Sequence, residues 1–178
     1  MLRVEELSLA YRHEGLEVPV LERLNLQIPS GRTIALVGES GSGKTSLAMA
    51  ILGLLPDHAI LSGRITFGDL ELTSLPERQH RQLRVQRIRY LPQHPSVLFN
   101  PVRTIGDHLL ESLQLAFPRQ KRGTLLELAR AWLCDVGLEP FHLHRYPHQL
   151  SGGMLQRAAL ALAVSTGPEL LIADEPAS

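Results

Sequence analysis

The stretch GESGSGKT at residues 38–45 follows directly on the apolar run TIALV at residues 33–37. Its spacing, Gly-x-x-x-x-Gly-Lys-Thr, is that of a phosphate-binding loop between a strand and a helix. Its glycines lack a Cβ, so the backbone can wrap closely around an anion, and the next helix adds its positive N-terminal end. The stretch predicts a nucleotide site, in which the Lys44 ammonium reaches the β- and γ-phosphates and the Thr45 hydroxyl binds Mg²⁺.

The alternative interpretation of this stretch is a loop rich in glycine and serine that contains a lysine by chance. With glycine at about 7% of residues, its four fixed positions would match by chance in fewer than about one in ten chains of this length. The strand and helix patterns on either side favour the nucleotide site further. The loop residues that we predict to contact nucleotide are Gly38, Glu39, Ser40, Gly41, Ser42, Gly43, Lys44, Thr45 and Ser46.

A second motif, LLIADE at residues 170–175, is an apolar strand that ends in two acids. Open α/β sheets bind their ligands at the carboxyl ends of parallel strands, which is where both carboxylates would lie. We expect Asp174 to hold Mg²⁺ through water and Glu175 to polarise the attacking water. The alternative is a strand followed by a solvated acidic turn, and the phosphate loop upstream favours the functional interpretation.

The overall composition is that of one globular domain. The chain has 178 residues, and lysine plus arginine balance aspartate plus glutamate at 18 each, which disfavours nucleic acid as a partner. The single cysteine, Cys134, excludes a disulfide framework within the chain and fits a reducing compartment. The sequence shows no signal peptide and no apolar run of the roughly 20 residues that cross a bilayer. We therefore expect a soluble protein that meets a membrane through a partner.

The residue pattern along the chain alternates between strand and helix periods. The predicted strands cover residues 2–9, 23–28, 33–37, 88–91 and 169–173, with a polar turn region at 13–19 and a hairpin at 63–72 around Gly68-Asp69. The predicted helices cover residues 44–52, 76–84, 104–137 with a break at 118–123, and 154–164. The order of these elements predicts an α/β architecture.

A set of arginines recurs near the second predicted helix and resembles a nucleic-acid stripe. Because the chain is neutral overall, we interpret the set as a solvated helix face. Its members are Arg78, Arg81, Arg84 and Arg87, with Arg89 close behind.

A third motif, LSGGMLQR at residues 150–157, precedes a predicted helix with Ser151 as a plausible N-cap. By itself it is simply a helix start. Between a phosphate loop and an Asp-Glu strand end, it resembles the signature motif of ABC ATPases, although Met154 stands where the commonest form has Gln. In that family the motif binds the γ-phosphate held by the other subunit of a dimer, which implies nucleotide contacts at Ser151, Gly152 and Gly153.

The resemblance gives a role to two further residues. Gln93 is similar to the glutamine that links Mg²⁺ and the attacking water to the transmembrane partner. Tyr11 lies where the family has an aromatic ring that stacks on adenine, although a tyrosine after a strand can equally serve in packing. The catalytic residues implied are Glu175, Gln93 and Lys44, and the implied Mg²⁺ ligands are Thr45, Gln93 and Asp174.

Two segments resemble the dipeptide, oligopeptide and nickel importer group within this family: YPHQLSGGM at residues 146–154 and LFNPVRTIGDHL at residues 98–109. ADEPAS at residues 173–178 matches the start of the group's Asp-Glu motif, whereas His94 stands where the group often has Asp. The implied activity is ATP hydrolysis, with Mg²⁺, that drives import of a peptide or a nickel or other metal chelate. The implied partners are transmembrane permease subunits, a second ATPase subunit, identical or different, and indirectly an extracytoplasmic solute-binding protein. The implied location is peripheral, at the cytoplasmic face of the inner membrane.

The fold implied by the resemblance is α/β: a P-loop NTPase (RecA-like) core with an N-terminal antiparallel β subdomain and an α-helical insert. Residues 1–98 with 158–178 would form the core and β subdomain, and residues 99–157 the helical subdomain. The sequence stops shortly after Glu175, before the family's small-Leu-Asp segment and switch histidine, so we expect an incomplete core sheet and weak turnover. The alternatives are a nucleotide-binding remnant without turnover and an ABC-type ATPase of DNA repair or translation.

Overall fold

The computed structural model describes residues 1–175. The chain forms two compact units, residues 1–81 and residues 82–178, and the boundary falls within a helix. The predicted division into residues 1–98 with 158–178 and residues 99–157 stays a prediction. None of the helices in the described part of the chain is long and apolar enough to cross a bilayer.

The first unit contains an antiparallel sheet of four strands in the order β2-β1-β3-β4. These strands are β1 (Leu2–His13), β2 (Leu16–Ile28), β3 (Ala59–Phe67) and β4 (Leu70–Glu71). The helix α1 (Lys44–Leu52) lies in the same unit and ends at Gly53, whose left-handed backbone has φ 64°. Both α1 and the β3–β4 hairpin agree with the sequence-based prediction.

A bulge in β1 keeps the apolar residues of this strand on one face. Val4 and Leu7 are both buried although they lie three residues apart, a spacing that would put them on opposite faces of a regular strand. The pairing register shifts between Val4 and Leu7 against β2 and between Glu5 and Ser8 against β3, and Glu6 has a φ of 47°. The extra residue therefore restores the inward direction of Leu7.

The hairpin between β1 and β2 is tighter than the sequence indicated. The predicted turn region at residues 13–19 contains only a two-residue turn, Glu14 and Gly15, with φ values of 50° and 84°. Two positive φ angles match the twist of the flanking strands, so pairing continues up to His13 and Leu16. Residues 17–19, predicted as turn, belong to β2.

The predicted buried strand at residues 33–37 was wrong for the described structure. This segment belongs to neither sheet formed by residues 1–175. Its apolar side chains are exposed, with Val37 at 95% of its full accessibility and Leu36 at 48%. A strand exists only through a hydrogen-bonded neighbour, and no segment within residues 1–175 provides one here.

The second unit buries its helices around an apolar core. Its helices are α3 (Ile105–Ala116), α4 (Arg122–Asp135) and α5 (Gly152–Val164), with 3₁₀ turns at Pro95–Leu98, Pro140–His144 and Pro147–Gln149. The helix α2 (Glu77–Gln86) crosses the unit boundary. Thr104 and Asp107 form a reciprocal capping box at the start of α3, which fixes where that helix begins. Core residues include Leu109, Leu133 and Ala158, each fully buried.

Two short parallel strands, β5 (Ile88–Leu91) and β6 (Leu170–Ala173), complete the second unit. Their register pairs Ile88 with Leu170 and Leu91 with Ala173. The prediction located both strands but was wrong about the burial of β6, because Leu171 is 38% exposed. Of the strands in residues 1–175, only β5 pairs with β6. Within residues 1–175, the second edge of β6 therefore has no neighbouring strand.

Two arginines of the predicted solvated helix face lie outside the helix and have partners instead. Arg87 follows the end of α2 and forms a two-pronged ion pair with Glu169, with N–O distances of 2.5 and 2.9 Å. Arg89 lies on β5 and donates to Ser112 Oγ at 2.6 Å and Thr166 Oγ1 at 3.1 Å. Burial lowers the pKa of Arg89. The interpretation as a solvated face is therefore wrong for these two residues.

The Arg87–Glu169 pair gives a pH-dependent contribution to stability. The hydrogen bond that Arg87 donates lowers the pKa of Glu169 in the folded protein. The stabilisation is therefore fully present above the unfolded pKa of about 4.3, and it is lost as pH falls through the lower pKa of the folded state. We expect Glu169→Gln to reduce the free energy of unfolding at pH 7 by about 0.5 kcal/mol, because the pair is partly exposed. Urea unfolding at pH 7 and pH 3 measures the difference.

The matched control is Glu127→Gln, which removes an ion pair between neighbouring turns of α4 with Glu127 at 69% side-chain exposure. We expect a smaller loss for this control. A loss for Glu169→Gln that is equal at pH 7 and pH 3 would contradict the role of its charge.

Candidate functional site

The predicted phosphate loop connects the exposed segment at residues 33–37 to the start of α1. Gly41 and Gly43 have left-handed backbones, with φ of 82° and 87°. Gly43 caps α1, whose first hydrogen bond runs from the Leu47 N–H to the Gly43 carbonyl at 2.9 Å. The loop thus leads into the N-terminus of α1 through two glycines with left-handed backbones, as the sequence motif predicted.

Gly43 is also the point where the loop lies against the sheet. A Cβ at this position would come within 2.8 Å of Leu21 Cδ2 and 3.1 Å of the Val20 carbonyl oxygen, both on β2. A Cβ on Gly41 would meet nothing within 4 Å. A side chain at position 43 would therefore be crowded as well as strained in its backbone angle, whereas at position 41 only the angle disfavours a side chain.

The Lys44 ammonium lies over the loop rather than in solvent. It donates to the carbonyl oxygens of Gly38 at 2.8 Å and Glu39 at 2.7 Å, and Ser42 Oγ lies 3.4 Å away. These bonds hold the only cation of the loop at its centre. Thr45 is exposed in the first turn of α1, directly after this lysine.

Tyr11 lies beside the first turn of α1. Its hydroxyl donates to Ser46 Oγ at 3.3 Å, and its ring is tilted by 52° against the His58 ring, with centroids 5.6 Å apart. The ring is half-buried near the end of β1, next to α1, whose N-terminus forms part of the predicted anion site. The structure therefore brings Tyr11 together with Ser46.

In the second unit, Asp174 follows the end of β6. The Asp174 N–H donates to the Leu91 carbonyl at 2.9 Å, and its Oδ2 accepts a hydrogen bond from the Tyr90 hydroxyl at 3.3 Å. Burial, together with the charge and hydrogen bond of Asp174, raises the pKa of Tyr90 to about 12. The Tyr90 hydroxyl therefore keeps its proton at neutral pH and donates a hydrogen bond to this carboxylate.

The next acid, Glu175, contacts Gln93, which follows the C-terminal end of β5. The Gln93 amide Nε2 donates to Glu175 Oε2 at 2.5 Å. Glu175 has a φ of 46°, a left-handed conformation that is uncommon for a residue with a side chain. The structure thus brings Gln93 and Glu175 together, while Asp174 is held by a different residue.

The predicted signature motif begins α5. Ser151 is the N-cap of this helix, and its Oγ accepts a hydrogen bond from the Met154 N–H at 3.3 Å, as the sequence indicated. Gly152 and Gly153 are exposed, and a Cβ at either would meet nothing within 4 Å. The chain's own packing therefore gives no reason for glycine at these two positions.

The predicted Mg²⁺ ligands are distributed along the chain. Thr45 belongs to the first unit, whereas Gln93 and Asp174 belong to the second. No group of three or more histidine, cysteine, aspartate or glutamate residues that could hold a metal is found within residues 1–175. Thr45 offers a hydroxyl oxygen in the first unit, and Gln93 and Asp174 offer an amide and a carboxylate oxygen in the second; these are hard oxygen donors of the kind that Mg²⁺ binds.

Sequence reasoning missed the role of Tyr90 in this site. Its strand predicts no functional role by its spacing or by a motif. Its contact with Asp174 follows from the register of β5 against β6, and the sequence does not contain that register. A signal was available in its chemistry alone: Tyr90 is the only residue of β5 that carries a hydroxyl group.

Comparisons with known proteins agree with the family resemblance seen in the sequence. A family model described as ABC transporter matches residues 21–178. The chain is 42% identical to the uncharacterized ABC transporter ATP-binding protein YejF of Escherichia coli, over 99% of this chain and 34% of that protein. It is 37% identical to the oligopeptide transport ATP-binding protein OppD of Salmonella typhimurium, over 99% of this chain and 53% of that protein. The glutathione import ATP-binding protein GsiA of the same organism is also 37% identical, with 30% of it covered.

The chain therefore spans between about a third and a half of the length of these curated relatives. Among solved structures, the dimeric ATP-binding cassette MJ0796 bound to ADP and Pi superposes with a TM-score of 0.85 and 24% identity. The match covers 99% of this chain and 75% of that chain. This likeness confirms the predicted fold class, an α/β cassette with an antiparallel β subdomain and helices.

The two left-handed glycines of the loop give a test of its geometry. We expect both Gly41→Ala and Gly43→Ala to lose about 1–2 kcal/mol of unfolding free energy from backbone strain. Gly43→Ala should lose more, because its Cβ would collide with Leu21 and with the Val20 carbonyl. Urea unfolding of the two variants measures the difference, and equal losses would show that the loop does not lie against β2 as described.

Proposed function

The chain belongs to the ABC transporter family, and we propose on this basis that it binds ATP and hydrolyses it to energise the import of a solute. The observation that carries the proposal is the phosphate loop. It combines two left-handed glycines, a helix N-terminus and the Lys44 ammonium within one short segment. Each of these features favours an anion with several phosphate groups.

Lys44 and the loop backbone would bind the β- and γ-phosphates. The ammonium would exchange the carbonyls of Gly38 and Glu39 for phosphate oxygens, and the N–H groups at the N-terminus of α1 would face the same anion. Tyr11 would stack on the adenine, since it lies beside the first turn of α1 through its bond to Ser46. The loop and Tyr11 would therefore hold the two ends of one nucleotide.

Thr45, Gln93 and Asp174 would hold Mg²⁺. The fit rests on the donor set: a hydroxyl, an amide oxygen and a carboxylate are hard oxygen ligands, and the remaining positions suit water and phosphate. When bound, the ion neutralises the charge that develops on the transferred phosphoryl group. Asp174 stands at the carboxyl end of β6, where its main chain is fixed by the Leu91 carbonyl.

Glu175 would orient and polarise the attacking water. Its carboxylate now accepts a hydrogen bond from Gln93, so it is held next to a residue that would also contact the cation. This pairing supports roles for both residues at one catalytic centre. The protein contributes positioning and charge, and phosphoryl transfer requires little covalent chemistry from the protein itself.

A second ATPase subunit, identical or different, would complete the site through the signature motif. Gly152 and Gly153 are exposed at the start of α5 without a packing role in this chain. Their N–H groups at a helix N-terminus are suited to a phosphate that another subunit presents. The dimeric form of the cassette named above supports this arrangement.

The solute would be a peptide or a related small molecule, because the named relatives act in oligopeptide transport and glutathione import. Nickel or another metal chelate is the second candidate. Import would pass through transmembrane permease subunits, fed by an extracytoplasmic solute-binding protein. The chain would then work as a peripheral protein at the cytoplasmic face of the inner membrane.

Lys44→Ala tests the nucleotide site. We expect ATP affinity to fall by about 10–100-fold, because the loss of one charge-assisted hydrogen bond to phosphate costs about 1.5–3 kcal/mol. The chain offers a matched control in Lys121→Ala, its only other lysine, which is exposed before α4. Titration with a fluorescent ATP analogue measures both, and a Lys44→Ala protein with unchanged affinity would exclude this loop as the nucleotide site.

Glu175→Gln tests the catalytic role. The amide keeps the shape of the carboxylate but cannot polarise water, so we expect turnover to fall by about 10²–10⁴-fold while ATP affinity stays within about threefold. Phosphate release and ATP titration measure the two quantities. The roles proposed for Lys44 and Glu175 would be contradicted by an equal loss of ATP affinity in both variants.

A further inference from the structure

The end of β5 holds both acids of the Asp-Glu motif, one through each of two side chains. Tyr90 contacts Asp174, and Gln93 contacts Glu175. The two contacting residues lie three positions apart on one segment, and the two acids are adjacent on the other. The strand pair therefore sets the positions of both carboxylates at once.

The main chain of Asp174 is fixed by the same pair of strands. Leu91 pairs with Ala173 in the parallel register, and the Asp174 N–H donates to the Leu91 carbonyl at 2.9 Å, one residue beyond the end of β6. This bond determines where the Asp174 Cα lies relative to β5. It leaves the direction of the carboxylate to be set by side-chain contacts, because two torsion angles separate it from the main chain.

The Tyr90 hydroxyl acts on that direction. It donates to Asp174 Oδ2 at 3.3 Å from a partly buried ring on the neighbouring strand. A tyrosine ring has only two torsion angles and is confined here by its place in β5, so its hydroxyl is a stable reference point. A phenylalanine would fill the same space, so the hydrogen bond to Asp174 is what the hydroxyl of Tyr90 adds.

We propose that Tyr90 is a positioning residue, whose hydroxyl orients the Asp174 carboxylate for a divalent cation bound with nucleotide. The proposal rests on the proposed function, since it assigns Tyr90 to the cation site of the same ATPase. Residues that hydrogen-bond to a carboxylate at a metal site fix its orientation, and their loss commonly weakens metal binding by about 10–100-fold. Tyr90 would not touch the nucleotide, so its effect should be confined to the cation.

The test is the variant Tyr90→Phe, with Mn²⁺ as a spectroscopic substitute for the cation. We expect Mn²⁺ affinity, followed by electron paramagnetic resonance at a saturating non-hydrolysable ATP analogue, to fall by about tenfold. Affinity for the analogue in EDTA should stay within about twofold. The Mg²⁺ concentration for half-maximal turnover should rise by the same factor as the Mn²⁺ dissociation constant, with turnover at saturating Mg²⁺ nearly unchanged.

Two further variants separate positioning from a general structural effect. Tyr146→Phe removes a hydroxyl from an exposed ring stacked on His148, and we expect native Mn²⁺ affinity. In an Asp174→Asn background, Tyr90→Phe should weaken Mn²⁺ binding no further, because the two residues act through one contact.

Three results would overturn the role of Tyr90. These are native Mn²⁺ affinity in Tyr90→Phe, an equal loss of analogue binding with and without metal, and a full additional loss in the Asp174→Asn background. In each case the unmodified protein still binds the Mn²⁺-analogue complex, so the proposed ATPase function stands. An unmodified protein that binds the analogue neither with Mn²⁺ nor without it would overturn the proposed function and the role of Tyr90 together.

Discussion

The parallel ladder between β5 and β6 is the constraint on which the second half of the site depends. It joins residues such as Ile88 and Leu170, which lie as far apart in the chain as the flanking ion pair of Arg87 and Glu169, at 82 positions. Closing so long a segment costs chain entropy, and the helices α3, α4 and α5 offset it by burying a common apolar core along the way. The ladder fixes where β6 ends, and it therefore determines where Asp174 and Glu175 lie relative to β5.

The phosphate loop depends on a different kind of constraint, which is local. Gly43 combines a left-handed φ with close contact to β2, and Lys44 bonds to carbonyls only five and six residues upstream. Such a structure is encoded within a few residues of sequence. The two groups of candidate site residues, one in each unit, therefore differ in origin: the first is local, and the second is the product of long-range pairing.

This difference explains what could be predicted from the sequence. The extent of α1 and the N-cap at Ser151 were both predicted, because each depends on neighbouring residues. The bulge at Glu6 and the contact between Tyr90 and Asp174 were not, because both depend on register against another strand. The segment at residues 33–37 shows the converse: its composition favours a strand, but composition cannot create the partner that a strand requires.

The exposure of that segment has a consequence for the behaviour of the protein in solution. Ile34, Leu36 and Val37 present apolar side chains, and the stretch TIALV contains no charge and no proline. Extended backbone without a hydrogen-bonded neighbour can accept one from another strand, and charge and proline, the features that usually oppose such pairing, are absent from this stretch.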